Sequence, residues 1–275
     1  MSSRAAAGGW SGRLLAALGL ALLGWLLLPL AALVLSTSPS ELLEGLRSPL
    51  VWPALRLSLW TASVALLCIV VLGTPLAWIL AQRGGAGPWR LAETLVQLPV
   101  VVPPSVAGIA LLLAFGRQGL LGAALASVGV SVSLSTPAVV IAEVFVAAPF
   151  YVLGAAAAFR ALDPDVVLLA RSLGAGSASL LLRVAIPLAA PGLAAGAALA
   201  WARALGEFGA TLMFAGNISG RTQTLPLAIY SALDRDLGAA RALAVVLCAF
   251  ALGLLLAVRW LQRSGVVAGV VRSSR

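Results

Sequence analysis

The chain has 275 residues, 61% of them hydrophobic and 10% charged, with a formal charge of +9. A soluble domain carries roughly 25% charged residues, and so few cannot cover a water-facing globule of this size; a single soluble domain is excluded and an integral membrane protein remains. All 18 basic residues are Arg, with no Lys or His, which excludes a Schiff-base lysine, a histidine base, a His-rich metal site and a P-loop lysine.

A helix crosses the hydrocarbon core with about 20 mostly apolar residues. Six stretches meet that length or nearly so: 14–35, 57–80, 95–115, 138–159, 192–214 and 242–258. The first is too long for the apolar region of a secretory signal and lacks a small-residue cleavage site, so it reads as a retained helix. The run 120–134, rich in Gly, Ser and Ala, reads as an external loop with short helical or re-entrant character. Cys68 and Cys248 lie singly in apolar runs, which fits buried packing rather than a disulfide or zinc site.

Arginine placement sets the orientation. With six spans and both termini in the cytoplasm, eleven arginines fall inside, six outside, and Arg203 within a span. The basic balance is therefore mainly a topological signal. Arginines bounding apolar spans form no stripe with interleaved aromatics, so no nucleic-acid partner is expected. The expected fold is an all-α membrane protein of six helices. Residues 1–50 form an anchor helix and external loop, 51–265 the core, and 266–275 a basic cytoplasmic tail resting on anionic headgroups.

The third span contains Pro99, Pro103 and Pro104. Each removes a backbone donor, and the freed carbonyls need partners or a wet cavity. Such a broken helix borders a substrate path or is a packing kink. Ser105 supplies a neighbouring hydroxyl.

Between the fourth and fifth spans, Asp163 suits an N-cap, Pro164 the first helical position, and Asp165 the first turn. Gly174 suits a left-handed stop. A second short helix is expected from Ser177 toward Ile186, stopped by Pro187. Small residues at Ser172, Gly174, Ala175 and Gly176 permit close approach by a partner. The pair reads either as a docking element or as an ordinary interfacial helix pair.

In the fifth span Gly192 and Gly196 make a GxxxG step, suited to close packing within the chain or between subunits. Arg203 and Glu207 follow at i, i+4. Intramembrane charges face a partner or a cavity, yet Arg before Glu is the less favourable order on one helix. They pair with each other or each has a partner elsewhere; Glu207 is cast as a gate or anchor. Thr211 adds an uncharged hydroxyl. An ion-coupled carrier would use intramembrane acids, for which Glu143 and Glu207 are the clear candidates.

The loop FRALDPDVVLLARSLGAGSASLLLRVAIPLAAPG resembles the coupling-loop signature of ABC-importer permeases, EAA followed by Gly and then I-x-L-P. Gly174 takes the Gly position, and Val184, Ile186 and Pro187 fall on the I-x-L-P positions. Leu168, Leu169 and Ala170 take the EAA positions, so the signature's Glu is replaced by Leu168. LPVVVPPSVAG (98–108), RALGEFGATLMFAGN (203–217) and GRTQTLPLAIY (220–230) resemble the molybdate permeases of that family, with sulfate permeases sharing the framework.

The resemblance implies a multi-pass permease of a bacterial-type cytoplasmic (inner) membrane. Two copies would form the oxyanion path, two separate ATPase subunits would grip the loops, and an extracytoplasmic binding protein would deliver the anion. It implies no enzymatic activity, metal or cofactor in this chain. The loop residues would be Asp163, Pro164, Arg171, Gly174, Ala175, Gly176, Ile186 and Pro187. The path residues would be Pro103, Pro104, Ser105, Arg203, Glu207 and Thr211. Sulfate or tungstate as cargo, and an ion-coupled secondary carrier, are the alternative readings.

Overall fold

The computed structural model describes residues 10–85 and 87–263; the basic tail over 266–275 lies outside them. Those residues are helical throughout their regular structure. In chain order the helices are α1 Trp10–Leu35, α2 Pro39–Arg47, α3 Val51–Arg83, α4 Pro88–Val101, α5 Pro104–Phe115, α6 Gly122–Ser127 and α7 Thr136–Arg160. Then come α8 Pro164–Ser172, α9 Ser177–Leu180, α10 Ile186–Leu205, α11 Gly209–Ala215, α12 Leu225–Leu233 and α13 Leu237–Arg263. A π-helical segment, Leu181–Ala185, joins α9 to α10.

Length and hydropathy qualify α1, α3, α7 and the continuous helix Ser177–Leu205 as spans, with α4 and α5 a fifth if they count as one bent unit. The expected third span, 95–115, is thus two helices bent by 114°. Pro103 and Pro104 cause the break: neither can donate a helical hydrogen bond, and each disfavours helix in the residue before it. The expected fifth span, 192–214, is also broken. Its helix ends at Leu205, and α11 begins at Gly209.

The expected stop at Pro187 does not occur. The chain stays helical from Ser177 to Leu205. Proline in a helix clashes with the carbonyl four residues back. Here the preceding turn is widened, with the Ile186 N–H donating to the Leu181 carbonyl five residues back, and Pro187 follows directly at the start of α10. A π-bulge is an established way for a helix to absorb such a defect.

The centre is a three-helix layer of α3, α7 and α10, closed by buried alanines such as Ala62, Ala147 and Ala200. Small residues let helix backbones approach where lipid gives no hydrophobic drive. Within it, Thr61 donates to Glu143 Oε1 at 2.9 Å and Thr74 shares a 2.6 Å hydrogen bond with the Tyr151 hydroxyl. Trp78 and Phe159 meet edge to face at 5.2 Å. The GxxxG face packs inside the chain. A Cβ on Gly192 would lie 2.5 Å from Ala158 Cβ, and Gly196 faces the Tyr151 backbone, so α7 is its partner.

α2 and α12 sit at the Val51 end of α3, and α8 at the opposite, Arg83 end. Arg241 of α13 donates to the Ser36 carbonyl and to Glu41 at 2.7 Å, tying α1 and α2 to α13. The segment 225–233 is packed inward over its first turn: Leu225, Leu227 and Ala228 are buried. The Leu225 N–H donates to Ser58 Oγ at 2.7 Å. The 120–134 run contains the short helix α6, in line with expectation. α1 has no buried residue in its most apolar window, as a lipid-facing helix requires.

Candidate functional site: two broken spans and a docking loop

The two span breaks lie side by side. A Cβ on Gly209 would sit 2.7 Å from Pro104 Cβ and 3.4 Å from the Ser105 nitrogen. One turn further, a Cβ on Gly108 would meet Met213 Cβ at 2.6 Å and the Ala210 carbonyl oxygen at 2.8 Å. Glycine is required at both positions because α5 and α11 touch backbone to backbone. Pro103, Pro104, Ser105 and Gly206 are exposed in the single chain. Non-helical backbone at membrane depth is tolerated only inside protein or against water, so this face is not a lipid face.

Arg203 and Glu207 lie at the second break. Arg203 Nη2 is 2.7 Å from Glu207 Oε2, so the two pair with each other. The order that is unfavourable on one helix is favourable here, because they occupy two helices' ends. Arg203 is in the last turn of α10, the negative end of its dipole. Glu207 precedes α11, and its other oxygen accepts from the Ala210 N–H at 2.8 Å, the positive end. Glu207 is thus satisfied at both oxygens and only 1% exposed, while Arg203 is 27% exposed. Thr211 is fully buried, with no partner for its hydroxyl among the described residues. It stands behind the exposed face, not on it.

The loop between α7 and α10 forms a second site. Asp163 caps α8, accepting from the Asp165 N–H at 2.9 Å. Gly174 ends it at φ +86°. The Gly174 N–H donates to the Arg171 carbonyl and the Ala175 N–H to the Ala170 carbonyl, a Schellman closure. Arg171 reaches back to Gln82 Oε1 of α3 at 2.8 Å. Leu168, Leu169 and Leu173 face outward, more than half exposed. A groove of about 320 Å³ between Trp78, Phe159, Pro164 and Arg171 runs beneath the helix.

Two supporting contacts at this end were not legible beforehand. Arg160 of α7 pairs with Glu93 of α4 at 2.8 Å and donates to the Leu80 carbonyl of α3. They tie the ends of α3 and α7 to each other and to α4, beside the Arg171–Gln82 contact of α8. Their signal in sequence is only that Gln82 is a polar residue near the end of α3 and Glu93 a lone acid within α4.

Continuous spans around two adjoining breaks, with an amphipathic helix pinned across one end, define a helical membrane transport subunit. The chain belongs to the family of binding-protein-dependent transport system inner membrane components, whose pattern matches residues 73–264. The Mycobacterium tuberculosis molybdenum transport system permease protein ModB is 43% identical over 220 residues, covering 80% of this chain and 83% of that protein. The Thermococcus kodakarensis molybdate/tungstate transport system permease protein WtpB is 34% identical over 250 residues, 90% of this chain and 94% of that protein. The fold is similar to a chain of a bacterial ABC transporter that imports alginate, with TM-score 0.71 over 92% of this chain and 96% of that one, at 18% identity.

Proposed function

We propose that this chain is the membrane permease of an ATP-driven importer of molybdate or tungstate. The observation that carries the cargo class is the 43% identity to a molybdenum permease over most of both chains. The chain is a transport subunit, not an enzyme. ATP is split by a separate subunit, in keeping with the absence of lysine from this sequence.

In this reading six spans cross the membrane with both termini in the cytoplasm: α1, α3, α4–α5, α7, α10–α11 and α13. The eleven-to-six arginine distribution supports that orientation. Two copies face each other across the exposed breaks, so that Pro103, Pro104, Ser105 and Arg203 border the path while Glu207 and Thr211 brace it from behind. Exposed non-helical backbone and a partly exposed arginine favour a wet, shared face over lipid.

An ATPase subunit docks on each α8 loop, around Gly174, and an extracytoplasmic binding protein delivers the anion. The Schellman turn, the outward leucines and the Arg171–Gln82 tie support the loop as a lever: movement of α8 passes directly into α3. Leu168 stands where the family signature has Glu, so this lever meets its ATPase through apolar contact at that position.

The test is anion uptake by cells carrying this chain with its ATPase and binding protein, using molybdate, tungstate and sulfate. ATPase-dependent uptake of molybdate or tungstate is expected. Uptake that persists without any ATPase overturns the reading, and a preference for sulfate overturns the cargo.

A further inference from the structure

An anion path meets a physical difficulty at Arg203. A fixed guanidinium at membrane depth, in a region of lowered dielectric, attracts an anion strongly. A path must bind weakly enough to release, the same constraint that governs channel pores. The structure holds a group that answers this difficulty. Glu207 approaches Arg203 to 2.7 Å and is almost fully buried, whereas Arg203 keeps 27% of its side chain exposed. The carboxylate therefore approaches from the protein side and leaves part of the guanidinium's five-donor fork toward the exposed face.

Glu207 is also held from both sides of the break. Its backbone N–H donates to the Ala204 carbonyl at 3.0 Å, and its Oε1 accepts from the Ala210 N–H at 2.8 Å. It cannot swing away when an anion arrives without giving up the contact that opens α11. The counter-charge is permanent, not exchanged.

We propose that Glu207 is a built-in counter-anion that lowers the affinity of Arg203 for the passing oxyanion, making Arg203 a transient contact rather than a trap. This inference rests on the oxyanion-import reading above. Glu207 is a positioning residue: it acts on the anion only through Arg203. A purely structural Glu207 would hold the break together and have no effect on anion affinity, which separates the two roles.

The experiment is equilibrium binding of radiolabelled molybdate to the assembled importer in lipid nanodiscs, without its binding protein, beside uptake measurements. Glu207→Gln keeps a carbonyl oxygen for the Ala210 N–H and removes the charge. It is expected to bind molybdate at least tenfold more tightly than the unaltered importer, with slower uptake. Adding Arg203→Gln is expected to abolish the gain. Equal affinity in the unaltered and Glu207→Gln importers overturns the proposal, as does a gain that survives Arg203→Gln. Glu207→Asp, with its carboxylate drawn back by one methylene, gives an intermediate gain and serves if the Gln variant does not assemble; affinity equal to the unaltered importer overturns the proposal there too. If the unaltered importer takes up no molybdate, the transport reading itself fails. If it does and the variants bind alike, only the Glu207 assignment fails.

Discussion

Glycine does opposite work at the two functional regions. At the end of α8, Gly174 has φ +86° and nothing within 4 Å of where its Cβ would be. It is there for its backbone angle alone. Where α5 meets α11, Gly108 and Gly209 have no such angle, but a Cβ on either would overlap the neighbouring helix at 2.6–2.8 Å. They are there for closeness. The loop is thus a shaped, uncrowded element, open to a partner, while the breaks are locked by direct backbone packing.

The largest effect is expected at Gly108. Gly108→Val places two further methyl groups into the Ala210 carbonyl and Met213, and overpacking of this kind costs about 1–3 kcal/mol. A lowered thermal midpoint in detergent and loss of uptake are expected; a wild-type midpoint would show that α5 and α11 are not in contact.

Gly192 tests closeness in the scaffold, where the obstacle is a single atom. Gly192→Ala meets Ala158 Cβ at 2.5 Å and is expected to destabilise. Adding Ala158→Gly removes that atom and should restore most of the loss, a coupling that a double-mutant cycle reads directly. Failure of the rescue would place the GxxxG face against something other than α7.

At Gly174 the effect should be on docking rather than on the fold. A non-glycine residue in the left-handed region costs about 1–2 kcal/mol, and asparagine tolerates it best. Gly174→Arg is expected to insert normally in the membrane and to abolish co-purification of the ATPase, whereas Gly174→Asn keeps most of it. Normal co-purification with Gly174→Arg would remove this turn from the docking surface.

The smallest effect concerns neither glycine region and serves as a contrast, since it lies at the far end of the scaffold. The Ser38 backbone N–H, then the Ser38 hydroxyl and Arg241, hold the Glu41 carboxyl below its usual value. A depressed folded-state value means that the stabilisation through Glu41, from the α2 capping box first and the Arg241 tie after it, is fully present above the ordinary glutamate value of 4.5. It is lost as pH falls through the lowered one. Proteolysis of the α1–α2 connection should therefore quicken at acidic pH, and Glu41→Gln should remove that dependence. An unchanged pH profile in the variant would show that another group governs it.

Much of this was legible in the residues. The spans were marked by long apolar runs, because lipid demands them. The first break was marked by adjacent prolines, because proline lacks a donor. The α8 loop was marked by Asp163, Pro164 and Gly174, because caps and left-handed stops are local chemistry. The second break was not legible: Gly206–Phe208 contains no proline, and an apolar run reads the same whether the helix continues or restarts. Pro187 misled in the other direction, since a local rule predicts a stop and a π-helical turn removed the clash.

The sequence by itself determined that this is a membrane protein, that it carries no P-loop lysine of its own, and where the capped helix α8 starts and stops. These follow from composition and from interactions between residues within a few positions of one another. Only the tertiary structure decided that the two breaks adjoin and that the GxxxG face meets α7. It alone paired Arg203 with Glu207 across two helix ends, choosing between the two readings that their order left open. The first two depend on residues distant in sequence, such as Pro104 and Gly209 or Ala158 and Gly192, arriving at the same place; the third depends on where α10 ends and α11 begins, which the apolar run does not mark.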